Sequence, residues 1–230
     1  VNGTGVVVTE CGNEGNLSIT GIGVGGCVGS MSGTAELILD GCYNVGDISA
    51  SGGGAGGFAG GILGKTGGSG TDACHVTIRN CMNRGKMEGD DIIGIAGIVG
   101  VAVSGEATVT GCYNAGAVST TVAGGYVGSI TISEAGMTST DVTDCLIDEK
   151  YNYGSSWNNP VVKSAAFGTW GAAWRLNGSS FKQSTDLSWT YDKTSHYPVL
   201  SATGLPPAEN WEPVGEALEY GCLLYTSPSP

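Results

Sequence analysis

Cys11-Gly-Asn13-Glu-Gly15, Cys42-Tyr-Asn44-Val-Gly46, Cys81-Met-Asn83-Arg-Gly85 and Cys112-Tyr-Asn114-Ala-Gly116 are four copies of one pattern, Cys-x-Asn-x-Gly. Cys145 opens a fifth copy that lacks the Asn and the Gly. Successive cysteines of the set lie 31, 39, 31 and 33 residues apart. Self-similarity at such a period marks an architecture of stacked repeats. It also assigns the cysteines a structural place before a reactive one.

Aligning the copies on the cysteine exposes further columns. Val8, Leu39, Ile78, Val109 and Val142 stand three residues before it, and Leu17, Ile48, Met87, Val118 and Tyr151 stand six residues after it. A third element follows as Gly25-Gly-Cys-Val-Gly29, Gly60-Gly-Ile-Leu-Gly64, Ala96-Gly-Ile-Val-Gly100 and Gly124-Gly-Tyr-Val-Gly128. Each repeat thus carries three short apolar segments, alternating and β-branched, as in Ala107-Thr-Val-Thr110. That is strand patterning, and helical spacing is absent before about residue 163. One repeat predicts one coil, and coils stacked ~4.8 Å apart turn every column into a ladder. The fold expected is all-β, a parallel β-solenoid of about four to five coils. Its right-handedness follows from the general preference of parallel crossovers.

Within that solenoid the motif reads as a corner. Cys11, Cys42, Cys81, Cys112 and Cys145 point inward ~5 Å apart, within disulfide range, and stand either as disulfides or as a ladder of free thiols acting as small hydrophobes, the parallel strand vector favouring the thiols. The amides of Asn13, Asn44, Asn83 and Asn114 pass hydrogen bonds from coil to coil. Gly15, Gly46, Gly85 and Gly116 are expected to turn the chain through positive φ. The surplus of the 39-residue repeat is expected at Lys65–Thr71, as a surface loop.

Composition supports a packed fold and narrows its partners. The 230 residues include 42 Gly without a three-residue period and only 7 Pro, which excludes collagen. Hydrophobic residues make up 40%, enough for a core. The net charge of −12 comes from 21 acidic and 9 basic side chains, the wrong balance for nucleic acid or an anionic membrane surface. No apolar run reaches the ~18 residues of a membrane span. The chain opens with Val inside a strand-like stretch, Val6-Val-Val-Thr-Glu10, and reads as a piece of a longer protein with further domains of the same chain.

The texture changes at about residue 160. Ser164–Gly178 predicts a short helix carrying Phe167, Trp170, Trp174 and Leu176 near one face, stopped by Asn177-Gly178. Phe181, Trp189, Tyr191 and Tyr197-Pro-Val-Leu200 follow. The expected organisation is a repeat region at 1–159, an aromatic-rich C-terminal cap containing the helix at 160–200, and a linker at 201–221. An exposed last coil calls for such a cap. Residues 222–230, Cys222-Leu-Leu-Tyr-Thr-Ser-Pro-Ser-Pro230, resemble a translated sequencing-library adapter, which would make the chain a metagenomic fragment. Setting them aside leaves seven cysteines, so at least one thiol is free.

Cys-Tyr-Asn-x-Gly followed by Gly-Gly-Ile-x-Gly resembles the GLUG-type repeats of bacterial secreted and cell-surface proteins, common in gut Firmicutes. The resemblance covers roughly residues 5–155, and Trp170–Asn177 with Trp189–Leu200 is similar to the endings of those proteins. It implies export, a secreted or cell-surface location, and a structural or adhesive part with no catalytic motif. The chain departs from the pattern at Cys145-Leu-Ile-Asp-Glu-Lys150, where Tyr151-Asn-Tyr-Gly154 restores it after a slip.

Other constellations weigh less. Cys74, His75 and Cys81 lack the spacing of a zinc site. His75 and His196 are the two histidines available to a nucleophilic triad, and His196 reads as a packing residue of the cap. Asp40, Asp47, Asp90, Asp91, Asp141, Asp144 and Asp148 are the candidates for an acidic catalytic cluster, as on polysaccharide-degrading β-helices. They do not share a column: Glu10, Gly41, Asn80, Gly111 and Asp144 precede the cysteines. Calcium has weak candidates in Glu88, Asp90 and Asp91 and in Asp141–Asp148, without calcium-loop spacing. Gly64-Lys65-Thr66 lacks the upstream glycine and following helix of a phosphate loop. Tyr43 and Tyr113 are candidates for stacking on sugars or for packing against the turns. The reading is a non-enzymatic structural or adhesive module without a cofactor, facing host or microbial glycans or surface proteins. A polysaccharide-degrading enzyme on the same fold, or a bare spacer, is the alternative.

Overall fold

Four parallel sheets build the stack, and each of the first four coils contributes to all four, while the described part of the fifth adds strands to the first and second alone. The computed structural model describes residues 5–31, 36–67, 74–102, 105–133, 137–148, 163–165, 170–178, 188–192 and 197–200. The first sheet is built from Val6–Thr9, Glu36–Asp40, Cys74–Arg79, Gly105–Thr110 and Met137–Thr143. The second, the corner sheet, uses the two-residue strands Gly12–Asn13, Tyr43–Asn44, Met82–Asn83 and Tyr113–Asn114, then Leu146–Asp148 and Lys163–Ala165. The third holds Leu17–Thr20, Ile48–Gly60, Met87–Ala96 and Val118–Thr120, with Gly23–Gly25 and Tyr126–Gly128 on its returning arm. The fourth holds Val28–Ser30, Leu63–Thr66, Val99–Ala102 and Thr131–Ser133. The result is a β-solenoid of about four turns.

The expected columns are real registers. Val8, Leu39, Ile78, Val109 and Val142 pair in succession, as do Leu17, Ile48, Met87 and Val118. Tyr151 lies outside the described residues. Where three strands per repeat were expected, the corner motif supplies a fourth. The fifth copy stays in register despite its lost Asn, since Leu146 pairs with Tyr113 and Ile147 with Asn114. Parallel stacking continues past residue 160, because Lys163–Ala165 adds a strand beyond Leu146–Asp148.

Two expectations of register are corrected. Gly124-Gly-Tyr-Val-Gly128 does not align with Ala96–Gly100 as written: Tyr126 pairs with Gly94 and Gly128 with Ala96, a slip of four residues. Ser129-Ile130 therefore takes the place of Gly97-Ile98. The surplus of the long repeat is also divided. The register offset is 31 residues at Thr20–Ser51, 35 at Gly23–Phe58 and 39 at Leu37–Val76. Half of the surplus thus falls between Ser51 and Phe58, in the glycine-rich run, and the rest beyond Lys65. Residues 68–71 of the expected loop lie outside the described residues.

Two cores fill the solenoid. The main one joins the inward rows of the first and fourth sheets to the cysteine column, among them Leu37, Leu39, Ile62, Leu63, Ile78 and Val99. The second lies inside the third sheet, where outgoing and returning arms close on Ile48, Ala50, Ala59, Met87, Ile92 and Ile95. Burial is complete in the middle coils and partial in the first, where Val6, Val8, Leu17 and Ile19 are half-buried.

The helix α1, Trp170–Leu176, ends where the sequence placed its stop, with Gly178 at a φ of 90°. Phe167, and the side chains of Trp170 and Trp174, lie outside the described residues, as do Phe181 and His196. Trp189–Asp192 and Tyr197–Leu200 form an antiparallel pair. Asn177 ties the two pieces together. Its Nδ2 donates to Ala173 O and Trp189 O at 2.9 and 2.8 Å, and its Oδ1 accepts from the Ser188 and Trp189 amides.

Candidate functional site

The corner motif builds three parallel ladders. The amides of Asn13, Asn44 and Asn83 each donate twice, to the next Asn up the stack and to the Gly carbonyl two residues on, and Asn114 donates to its Gly carbonyl. Asn13 reaches Asn44 at 2.7 Å, Asn44 reaches Asn83 at 2.7 Å, and Asn83 reaches Asn114 at 2.8 Å. The bonds to Gly15, Gly46, Gly85 and Gly116 carbonyls span 2.7 to 3.1 Å. Asn44, Asn83 and Asn114 are fully buried, so these bonds satisfy groups that water does not reach. Ile147 ends the ladder.

The glycines work differently from expectation. None of Gly15, Gly46, Gly85 and Gly116 has positive φ; the left-handed position is the residue before the cysteine, at Glu10, Gly41, Asn80, Gly111 and Asp144, with φ of 52 to 67°. The motif glycine is needed for closeness: a Cβ on Gly85 would lie 1.9 Å from Gly46 O. The sequence held the signal for the left-handed column. Two Gly, one Asn and one Asp among five residues is the composition that tolerates this conformation.

The cysteines form the inner ladder as free thiols, buried at Cys42, Cys81, Cys112 and Cys145, with Cys11 exposed at the open end. Their Sγ atoms lie 3.5 to 3.8 Å from the carbonyls of Val8, Leu39, Ile78 and Val109 in the preceding coil. Burial pushes the Cys81 and Cys112 thiols well above the ordinary range. Cys74 points into the core while His75, its neighbour on the strand, points out beside Glu106 at 3.4 Å. Alternation along a strand therefore keeps Cys74, His75 and Cys81 from converging on one ion.

One position after each cysteine, the corner sheet turns a row outward: Gly12, Tyr43, Met82, Tyr113 and Leu146. This row holds the two candidate tyrosines, and the structure separates them. Tyr113 is fully buried beneath the C-terminal segment. Its ring lies 5.2 Å from that of Trp189, and its hydroxyl donates to Pro198 O at 2.9 Å and contacts Met82 Sδ. Burial pushes its phenol up. Tyr113 is thus not an exposed platform for sugar. Tyr43 is half-buried over Gly12, and its hydroxyl donates to Glu14 at 3.0 Å, a bond that raises its pKa.

The residues that cover this row were missed as a site. Ala172, Ala173, Leu176 and Trp189 pack on Met82, Tyr113, Ala115 and Leu146. Trp189 Nε1 donates to Gly111 O at 2.7 Å, and the Arg84 guanidinium sits 5.2 Å over the Tyr197 ring. The described C-terminal residues therefore lie along the flank of the corner sheet, where a cover over the open last coil was expected. The physical reason is the row itself, four apolar or aromatic side chains facing outward.

The acidic candidates are dispersed. Asp40 takes Arg79 Nε at 2.8 Å and Asn80 Nδ2 at 2.9 Å; Asp47 accepts the Lys86 amide; Glu88 pairs with Lys86 Nζ at 2.6 Å. Asp90 accepts from Thr121 Oγ1 at 3.0 Å, and Asp91, at a φ of 57°, donates its amide to the same hydroxyl. Asp141 and Asp144 are exposed, on the first sheet and at the corner, and Asp148 is buried in the corner sheet. Among the described residues no three His, Cys, Asp or Glu side chains gather as ion ligands. Gly64-Lys65-Thr66 lies in a strand of the fourth sheet, not in a loop before a helix.

The outward face of the first sheet is exposed to half-buried. It carries Glu36, His75 and Glu106 in one row, Val7, Ile38, Thr77 and Thr108 in the next, and Thr9, Asp40, Arg79, Thr110 and Thr143 in a third. The Thr110 and Thr143 hydroxyls share a hydrogen bond of 3.0 Å. No helix among the described residues is long and apolar enough to cross a membrane. No family model, curated protein or solved structure matches the chain.

Proposed function

We propose that this chain is a non-enzymatic structural and adhesive module of an exported bacterial surface protein, of the GLUG-repeat kind. The outward face of the first sheet meets host or microbial glycans or surface proteins. The observation that carries this reading is that face: hydroxyl and charged side chains repeat from coil to coil on a backbone held rigid by buried ladders. Stacked repeats suit extended binding surfaces of this sort. The solenoid is right-handed in this reading, and residues 160–200 act as its cap by sealing the corner flank. Against an acidic active site stands the separate engagement of Asp40, Asp47, Asp90 and Glu106.

The test is a glycan and mucin array probed with the full chain, followed by Thr77→Glu/Thr108→Glu, which places charge on the middle row without touching a core. Binding that weakens about tenfold in the variant, a loss of ~1.4 kcal/mol, supports the adhesive face. Clean negatives with the parent chain leave the bare spacer. Release of reducing sugar from any arrayed polysaccharide overturns the non-enzymatic reading.

A further inference from the structure

The outward face of the first sheet has a cross-section as well as a length. Its middle row, Val7, Ile38, Thr77 and Thr108, holds short β-branched side chains that present methyl groups. The rows on either side carry longer polar chains, Glu36, His75 and Glu106 on one and Asp40 and Arg79 on the other. Side chains stand roughly perpendicular to a sheet. The face is therefore a shallow channel along the stack, with a methyl-bearing floor and hydrogen-bonding rims. Ile38 and Thr77 on the floor are half-buried, while Glu36, His75, Glu106 and Arg79 are exposed. The rims are four residues apart on each strand, about 13 Å at ~3.3 Å per residue. Pairs along the axis hold them in place, Arg79 Nε on Asp40 at 2.8 Å and His75 beside Glu106 at 3.4 Å.

Three properties of the channel narrow what fits it. The backbone groups of the first sheet bond up and down the stack, so its face offers a peptide strand no main-chain pairing. Coils repeat every ~4.8 Å, a step that an extended β-1,4-linked sugar chain matches with one pyranose per coil. Such a ribbon is apolar on its faces, where axial C–H bonds project, and polar along its edges, where equatorial hydroxyls project; floor and rims complement the two. Charge narrows the choice further. Glu36, Asp40, Glu106 and Asp141 outnumber Arg79 among the described residues of this face, which repels carboxylated or sulfated glycans. We propose that the channel binds a neutral, extended β-1,4-linked glycan laid along the solenoid axis, one sugar over each coil. The proposal rests on the adhesive reading of the same face and names its ligand. Rim carboxylates and Arg79 bond the hydroxyl edges, and the floor takes the C–H faces. Four sugars fill the floor from Val7 to Thr108, because Asp141 continues that row as a charge in the fifth coil.

The experiment titrates the full chain calorimetrically with cello-, xylo- and manno-oligosaccharides from dimer to hexamer. At least one series should bind, its affinity rising about tenfold or more from dimer to tetramer and gaining less than about twofold beyond. Ile38→Glu, Thr77→Glu and Thr108→Glu place a charge on the floor of three different coils. Each should weaken the hexamer about tenfold while the melting temperature stays that of the parent. A ligand lying across the strands would respond to one of the three substitutions alone and gain nothing beyond the dimer; either result overturns the axial placement. Binding of acidic glycans, α-linked glycans or surface proteins, with none of these oligosaccharides bound, overturns this proposal and leaves the adhesive reading standing. No binding to any of them overturns both.

Discussion

The amide ladder and the glycine beside it make opposite demands on single residues, and each demand depends on depth in the stack. Asn83 accepts from Asn44, donates to Asn114 and donates to Gly85 O, all without water. Asn83→Ala leaves three buried polar groups short of a partner, and a buried unsatisfied group costs about 1–3 kcal/mol. The substitution is expected to cost about 3 kcal/mol or more in urea unfolding. Asn13→Ala, at the half-buried end, is expected to cost under about 1 kcal/mol, because water replaces the lost donor. Equal losses at the two sites would refute a role for burial. The glycines allow a parallel comparison. A Cβ on Gly15 meets nothing within 4 Å, whereas on Gly85 it meets a carbonyl at 1.9 Å. Gly15→Ala should leave the melting temperature within a few degrees of the parent. Gly85→Ala should lower it by roughly 4–8 degrees or more, through a loss of roughly 2 kcal/mol or more in backbone displacement.

At the scale of elements, the C-terminal helix and hairpin are held to the solenoid by few but buried contacts. Trp189 fills the flank between Tyr113 and Gly111, and its indole N–H bonds the Gly111 carbonyl. Trp189→Ala is expected to cost about 3–5 kcal/mol, the range for deleting a buried aromatic. Amide exchange should accelerate in 188–200 while the central strands Leu37–Leu39 and Val76–Ile78 stay protected. Acceleration of both together would mean that hairpin and coils unfold as one unit. How much of this was legible follows from side-chain size. The columns through Leu39, Ile78 and Val109 were readable because large apolar residues fix a register that a one-residue slip would destroy. Gly124–Gly128 was misaligned because glycine and small residues repeat without marking a phase, and an extra turn at 121–125 shifted them by four. The glycine column rests on close approach where positive φ was expected, since a composition cannot distinguish the two. The flank was hidden for another reason. Tyr43, Met82, Tyr113 and Leu146 vary in chemistry, and their shared direction appears only once the two-residue corner strand is known.

For the whole molecule, three buried groups at the corner couple stability to pH in one direction. Cys81, Cys112 and Tyr113 are each fully buried, and burial raises each above its ordinary value, about 9 for the thiols and 10 for the phenol. A group whose folded-state pKa is raised stays protonated in the fold while the unfolded chain releases its proton. The native state then binds more protons, so stability is fully present below the unfolded values and falls as pH rises above them. Each group contributes a slope of about 1.4 kcal/mol per pH unit, so the three together give about 4 kcal/mol per unit once pH passes roughly 10. Unfolding by urea under reducing conditions should therefore show a plateau near neutrality and a steep fall from about pH 9 upward. Cys112→Ala/Tyr113→Phe retains only the contribution of Cys81 among the three. Its profile should start from lower stability yet decline about three times less steeply at high pH. A parent profile flat to pH 10.5 would show that water reaches the ladder from within the stack, and would also weaken the case that the corner columns are the rigid spine of the solenoid.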